Sequence, residues 1–404
     1  MLDAIRGWTS TQKHAVAASY LGWTLDAFDF FLLTFVVTDI AREFHVDVKG
    51  VSEALFWTLA MRPLGAFVFG RLADRYGRRP VLMFDVIAYA VFAFASAFAP
   101  SLAVLLVLRA LFGIAMGGEW GVGASLTMET VRAESRGLVS GILQTGYSSG
   151  FLVASLAYGT LFPLIGWRGL FMLGILPALL VLYIRRNVQE SPGWSHEHEA
   201  ARTTLNILTR HWRLALYAIA LMTAFNFLSH GTQDLYPTFL KIDHGLTPHS
   251  VALVVIIANI GAIAGGLSFG TLSQRFGRRR TLIVAALLSL PVLPFWLMSN
   301  GIVALALSGF VMQFMVQGCW GLVPAHLNEL SPAEARGTFP GVVYQLGNLF
   351  ASRAAPLQAT LAVEYGSYGI ALASVAVIAA LAIAFFASVG REAKEIDMRV
   401  TAPA

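Results

Sequence analysis

The chain has 404 residues, 57% hydrophobic and 13% charged, with a net charge of +5 and one cysteine. A soluble domain carries about 25% charged residues, so the composition excludes a water-soluble globular protein. Lone Cys319 excludes an intramolecular disulfide and a cysteine metal cluster, and no nucleotide-binding loop follows a strand, so no cofactor and no metal are expected.

Apolar stretches of about 20 residues, enough to cross a bilayer, begin near Ala15, Val51, Val81, Leu102, Gly137, Leu170, Leu214, Ser250, Thr281, Ile302, Gly337 and Gly366. They are continuously apolar rather than alternating, which argues for helices over a β-barrel. The expected fold is therefore an all-α integral membrane protein of twelve spans. The first stretch is too long for a cleavable signal and carries Asp26 and Asp29. Short loops on one side hold Arg71, Arg75, Arg78, Arg79, Arg185, Arg186, Arg275 and Arg278 to Arg280. Positive loops mark the cytoplasmic side, so both termini are expected there, and the net charge reflects this bias rather than nucleic-acid binding.

The chain repeats itself at an offset of 200 residues. The segment from Gly70 to Arg79 returns from Gly270 to Arg279, Gly118 to Gly121 returns as Gly318 to Gly321, and Glu134 to Gly137 as Glu334 to Gly337. Two six-helix halves are expected at residues 1–188 and 213–404, joined by a cytoplasmic linker at 189–212, with a binding site between them near the midplane. The Gly-x-x-x-Asp-Arg-x-Gly-Arg-Arg loop, its repeat and the twelve spans resemble the major facilitator superfamily over the whole chain. That resemblance implies a cytoplasmic gate of loop charges: Asp74, Arg75, Arg78 and Arg278, and the pairs Glu129 with Arg136 and Glu329 with Arg336. Gln274 stands where the first half has Asp74, so the second latch is expected to be weaker.

In the seventh span, Asn226-x-x-Ser-His-x-Thr-Gln-Asp-x-x-x-Thr238 is similar to the signature of lactate and pyruvate proton symporters within the sialate:proton symporter family. The stretches Leu25 to Phe31 and Gly117 to Trp120 resemble that family and the neighbouring aromatic-acid symporters. On a helix turning about 100° per residue, Asn226, Ser229, His230, Gln233 and Asp234 share a sector of roughly 140°. Pro237 withholds a donor from the Gln233 carbonyl, so a kink is expected there. Histidine exchanges protons near neutral pH, which suits coupling at His230. A structural polar network between helices is the alternative.

Asp26 and Asp29 occupy the positions that match Asn226 and Ser229 in the other half. Lying three apart on one helical face, they are candidate proton carriers, or partners of Arg62 or Arg109. Arg62, in the middle of the second span, aligns with Ala262 and offers a fork for a substrate carboxylate. Arg353 and Arg109 lie nearer the outer end, where they attract anions or pair, and pairing suits Arg109 better. Gln345 and Asn348 share a face of the eleventh span, with Tyr344 beside them, and either read substrate oxygens or bridge helices. Glu119, replaced by Cys319 in the repeat, relays protons or pairs with a neighbour. Asp85, His326 and Glu364 are read as interfacial groups near helix ends. The glycines from Gly113 to Gly123 are read as close-packing positions.

The reading that results is a proton-coupled importer of a small monocarboxylate, with a small organic anion and a proton as its ligands. A monomer in a bacterial inner membrane is expected. Sialic or aromatic acids are the alternative substrates, and a carboxylate receptor that does not transport is the alternative of another class. A membrane enzyme is disfavoured because no nucleophile-and-base set stands out.

Overall fold

The computed structural model describes residues 8–131, 136–190, 209–331 and 339–392. Within them the chain is helical, with no strands: α1 (Ser10–Glu43), α2 (Val48–Tyr76), α3 (Arg78–Ser96), α4 (Leu102–Thr130), α5 (Arg136–Met172) and α6 (Ala178–Asn187) make the first half. The second half comprises α7 (Trp212–Gln233), α8 (Tyr236–Ile242), α9 (Pro248–Phe276), α10 (Arg278–Ser289), α11 (Leu293–Met298), α12 (Ile302–Trp320), α13 (Val323–Leu330), α14 (Phe339–Ala351), α15 (Ala354–Tyr365) and α16 (Tyr368–Val389). Taken as bilayer crossings, these are twelve. Helix α5 breaks into two arms at Gly166, whose φ of 63° suits glycine, and its second arm continues with α6 as one crossing, while α7/α8, α10/α11, α12/α13 and α14/α15 are each one crossing broken once. Spans one, two and eleven are not uniformly apolar: they hold Asp26 and Asp29, Glu53 and Arg62, and Gln345, Asn348 and Arg353.

Local chemistry sets the ends. Thr9 and Gln12 cap α1 reciprocally, Thr9 Oγ1 accepting from Gln12 N at 3.3 Å and Gln12 Oε1 from Thr9 N at 3.1 Å. Asp47, Ser101, Thr247 and Ser367 cap four further helices. The sharp turns into α3 and α10 need positive φ, 102° at Gly77 and 90° at Gly277, and glycine supplies both. The duplicated turns are closed alike: Glu190 Oε1 accepts from Arg78 N at 2.9 Å, and Glu392 Oε1 from Arg278 N at 3.0 Å.

Glycines let α2 and α4 touch backbone to backbone. A Cβ at Gly65 would fall on the Ile114 carbonyl, and one at Gly113 or Gly117 on the carbonyl of Thr58 or Arg62. Gly261 and Gly265 meet Phe310 and Phe314 in the same way in the second half. The two halves face each other through α5 against α9 and α2 against α14 and α15. At the end away from the Arg75 loop they are tied together: Lys241 Nζ lies 3.0 Å from Asp39 Oδ2 and 3.1 Å from Thr38 Oγ1, and also donates to the Phe35 carbonyl. Arg353 on the second half pairs with Glu53 on the first at 3.4 Å.

Candidate functional site

The seventh span breaks where its sequence requires. Helix α7 ends at Gln233, Leu235 leaves helical geometry, and Pro237 sits in the first turn of α8. The break leaves a polar face on the last two turns of α7, and every member of the sequence cluster there is buried. His230 Nδ1 lies 3.1 Å from Asp234 Oδ1, and its Nε2 lies 3.3 Å from Asn348 Oδ1. Both ring nitrogens thus lie within hydrogen-bond reach of an oxygen. Asn348 Nδ2 donates to Gln345 Oε1 at 3.0 Å, which fixes the amide. Phe30 of the first half meets the His230 ring edge-on, with centroids 5.9 Å apart.

Other members of the seventh span turn toward α12. Gln317 Nε2 donates to Ser229 Oγ at 3.0 Å, Ser229 Oγ donates to Gln233 Oε1 at 3.1 Å, and Gln233 Nε2 donates to Gln313 Oε1 at 3.1 Å. Gln313 also donates to Thr232 Oγ1 at 3.2 Å. Asn226 Nδ2 bonds to the Met222 carbonyl at 2.8 Å, and Gln358 Nε2 to the Gly231 carbonyl at 2.6 Å.

Asn226, Ser229 and His230 line a cavity of about 10 Å³ together with Gln144, Tyr147, Gln317, Trp320 and Tyr344. That space admits about one water molecule, so an organic acid enters only when the halves separate. A second cavity shares Gln144, Trp320 and Tyr344 and runs on past Trp120 to Val323, Leu327 and Pro340, toward the Arg-rich end. The opposite end is closed by the Lys241 and Arg353 contacts.

Beside the cavity, Arg62 is fully buried between the rings of Trp23 and Tyr344, 5.6 and 5.7 Å from their centroids. Among the described residues none accepts a hydrogen bond from Nε, Nη1 or Nη2. A buried guanidinium with all its donors free fits a bidentate anion. The charges of Asp26 and Glu119 act on it, whereas Asp29 faces Arg109. Arg109 donates to Ser96 Oγ from Nε at 3.1 Å and Nη2 at 2.6 Å and packs on Phe112 and Phe171, inside the first half.

Several expectations shift. Arg353 stands apart from the cavity, half-exposed, its guanidinium 3.8 Å from the Phe56 ring centroid. Glu329 pairs with Arg278 through two bonds of 3.0 and 3.1 Å and is thereby held by the loop repeat. The side chains of Asp74, Glu129, Arg136 and Gln274, and all of Arg336, lie outside the described residues, while Arg75 is exposed. Asp85 and His326 are not interfacial: both are buried, because they fall on the packed faces of α3 and α13, whereas Glu364 is exposed. His14 Nδ1 lies 2.7 Å from Tyr183 Oη. Sequence reasoning missed Gln144, Tyr147, Gln313, Gln317, Trp320 and Gln358. The polar pair at i and i+4 in α12, Gln313 and Gln317, was the available signal.

The Major Facilitator Superfamily model matches residues 19–236 and again 220–399. The chain is 29% identical to the carboxylic acid transporter protein homolog of Saccharomyces cerevisiae over 86% of its length, and spans 61% of that relative. It is also 29% identical to the sialic acid transporter NanX of Escherichia coli, covering 89% of this chain and 90% of NanX. The fold is similar to the partially occluded inward-open conformation of the xylose transporter XylE from E. coli, with a TM-score of 0.75, 17% identity, and coverage of 92% and 97%. With two matches, one per half, and twelve crossings enclosing a buried polar site, the chain belongs to the Major Facilitator Superfamily, whose members are membrane transporters and not enzymes.

Proposed function

We propose that the protein is a proton-coupled symporter of a small monocarboxylate of the lactate and pyruvate type, working by alternating access. The observation that carries this reading is Arg62, a buried guanidinium with free donors, stacked on Tyr344, which lines the same cavity as His230. Arg62 holds the carboxylate, while Asn226, Ser229, Gln345 and Asn348 read the remaining oxygens. A proton taken up at the His230 and Asp234 pair, or by the acids around Arg62, offsets the anion's charge, because an uncompensated charge is prohibitively costly in the occluded state. In this reading the protein sits in a bacterial inner membrane with both termini in the cytoplasm, which the bias of arginine toward the loops at that end supports. The two halves, 1–188 and 213–404, rock as a monomer about the linker at 189–212.

The name of the yeast relative, a carboxylic acid transporter homolog, supports the substrate class. A second reading, sialic or aromatic acid, draws on the relative NanX and on the aromatic walls Trp120, Tyr147, Trp320 and Tyr344, which suit a ring. The test is uptake of labelled L-lactate, N-acetylneuraminic acid and benzoate into proteoliposomes under an inward proton gradient. Lactate accumulation that collapses with an uncoupler supports the proposal. Accumulation of another acid alone moves the substrate to the second reading, and uptake of none of the three overturns the function.

A further inference from the structure

Among the described residues, the interior of the first half buries more carboxylates than arginines. Asp26, Asp29, Asp85 and Glu119 are all buried, and none of their carboxylate oxygens has a hydrogen-bond partner among the described residues. The buried arginines there are Arg62, which acts on Asp26 and Glu119, and Arg109, which acts on Asp29. Asp85 is left facing charges of its own sign: α4 presents Glu119 to it and α1 presents Asp26. The turn at Leu173–Ile175 backs the neighbouring Asp29, whose Oδ1 is 3.1 Å from where a Gly174 Cβ would stand. One turn beyond Asp85 on the same face, the buried Tyr89 hydroxyl has no partner and lies in the field of all four acids.

Position along the helices orders these groups. At about 1.5 Å per residue, Asp85 lies about 10 Å from the Arg78 end of α3, Glu119 about 16 Å from the Thr130 end of α4, and Asp26 about 24 Å from the Ser10 end of α1. All three ends are on the Arg-rich side. Glu119 lies against Gly22 of α1, where a Cβ would displace its Oε1.

We propose that Asp85, Glu119 and Asp26, with Tyr89 beside them, form a proton path through the interior of the first half, from the Arg78 end of α3 to the guanidinium of Arg62, apart from the substrate cavity. The proposal rests on the proton-coupled reading above. No two of these carboxyls are hydrogen-bonded to each other, so in each step a protonated carboxyl passes its proton through a bridging water to the next carboxylate, and the number of charges inside the half is unchanged. A proton reaching Asp26 or Glu119 removes a competitor for Arg62 and leaves its fork to the substrate carboxylate. Withdrawal of that proton toward Asp85 restores the competitor and expels the anion. Substrate and proton then leave on the same side by different routes.

The experiment compares wild type, Asp85→Asn and Asp85→Glu in proteoliposomes containing trapped pyranine, using whichever of L-lactate, N-acetylneuraminic acid or benzoate the wild type carries. Exchange of substrate at equal pH needs no net proton movement, whereas accumulation does. Asp85→Asn is expected to exchange within about twofold of wild type and to lose accumulation and the pyranine signal by about tenfold or more, and Asp85→Glu to recover both. Full coupling in Asp85→Asn overturns the path while leaving symport intact. Loss of exchange and accumulation alike, without recovery in Asp85→Glu, assigns Asp85 to packing and also overturns it. A wild type that moves substrate with no pyranine signal overturns proton coupling itself, and the path with it.

Discussion

His230 and Asp234, one helical turn apart at the broken end of α7, face each other at 3.1 Å with neither side chain more than 3% exposed. In a site this dry each of the two groups is the other's polar partner. Removing the imidazole leaves Asp234 without its partner, at a cost of about 3–5 kcal/mol when the remaining charge is buried. His230→Ala is therefore expected to lower thermal stability in detergent more than His230→Ala/Asp234→Asn does. A double-mutant cycle on unfolding temperature reads the coupling, and additive effects would show that the pair does not interact.

Arg62 is expected to tolerate no substitution silently. Lysine keeps the charge but offers a point donor in place of a fork, and a hydrogen bond to a charged group is worth about 1.5–3 kcal/mol. Arg62→Lys should raise the substrate KM about tenfold or more while leaving the protein folded, and Arg62→Ala should abolish uptake. Measured KM values for the substrate and for its uncharged amide analogue check this. An equal change for both would remove the carboxylate from Arg62.

The Lys241 contacts to Asp39, Thr38 and Phe35 close the end of the cavity opposite the Arg-rich loops. Lys241→Met is expected to shift the population toward the state open at that end by about 1.5–3 kcal/mol, the worth of one charge-assisted bond. A cysteine at buried Thr34 should then react faster with an impermeant maleimide, and the only native thiol, Cys319, is buried. Unchanged labelling would mean that Lys241 does not latch the halves.

Glu43 lies at the end of α1, half-exposed, where burial alone would raise its carboxyl. Hydrogen bonds from Arg168 and Trp167, the latter at 2.6 Å, and the Arg168 charge hold it instead below the ordinary value of 4.5. A depressed carboxyl contributes stability above the unfolded value and loses it as pH falls through the folded one. Unfolding temperature is expected to drop on acidification below about pH 4.5 in wild type and to drop less in Glu43→Gln.

Gly117 packs its Cα on the Arg62 backbone, so Gly117→Ala has to push α4 from α2 at the point where Arg62 is held. Overpacking of this kind costs about 1–3 kcal/mol. A fall in unfolding temperature together with a raised KM is expected, whereas Gly121→Ala, with open space at its Cβ, should alter neither.

Periodicity and polarity made much of this legible. The twelve crossings follow from apolar runs too long for anything but a bilayer, and the seventh-span cluster was visible because His, Gln and Asp have no business in hydrocarbon unless something meets them. Asp85 was read as interfacial because a polar residue's distance from a helix end does not say which face it occupies. Helix α3 turns Asp85 onto α4, while Arg353 falls between α14 and α15 and faces Glu53.

By itself the sequence determined the class, the duplication, the glycine contacts and the break at Pro237, because each depends on local geometry or on a length compared with the bilayer. Only the tertiary structure decided that Arg62 sits free between Trp23 and Tyr344, that Asn348 meets His230, and that Gln144, Tyr147 and Gln317 complete the wall. Those relations join helices far apart in the chain, and they depend on rotation of each helix about its axis, which packing of all its neighbours sets together.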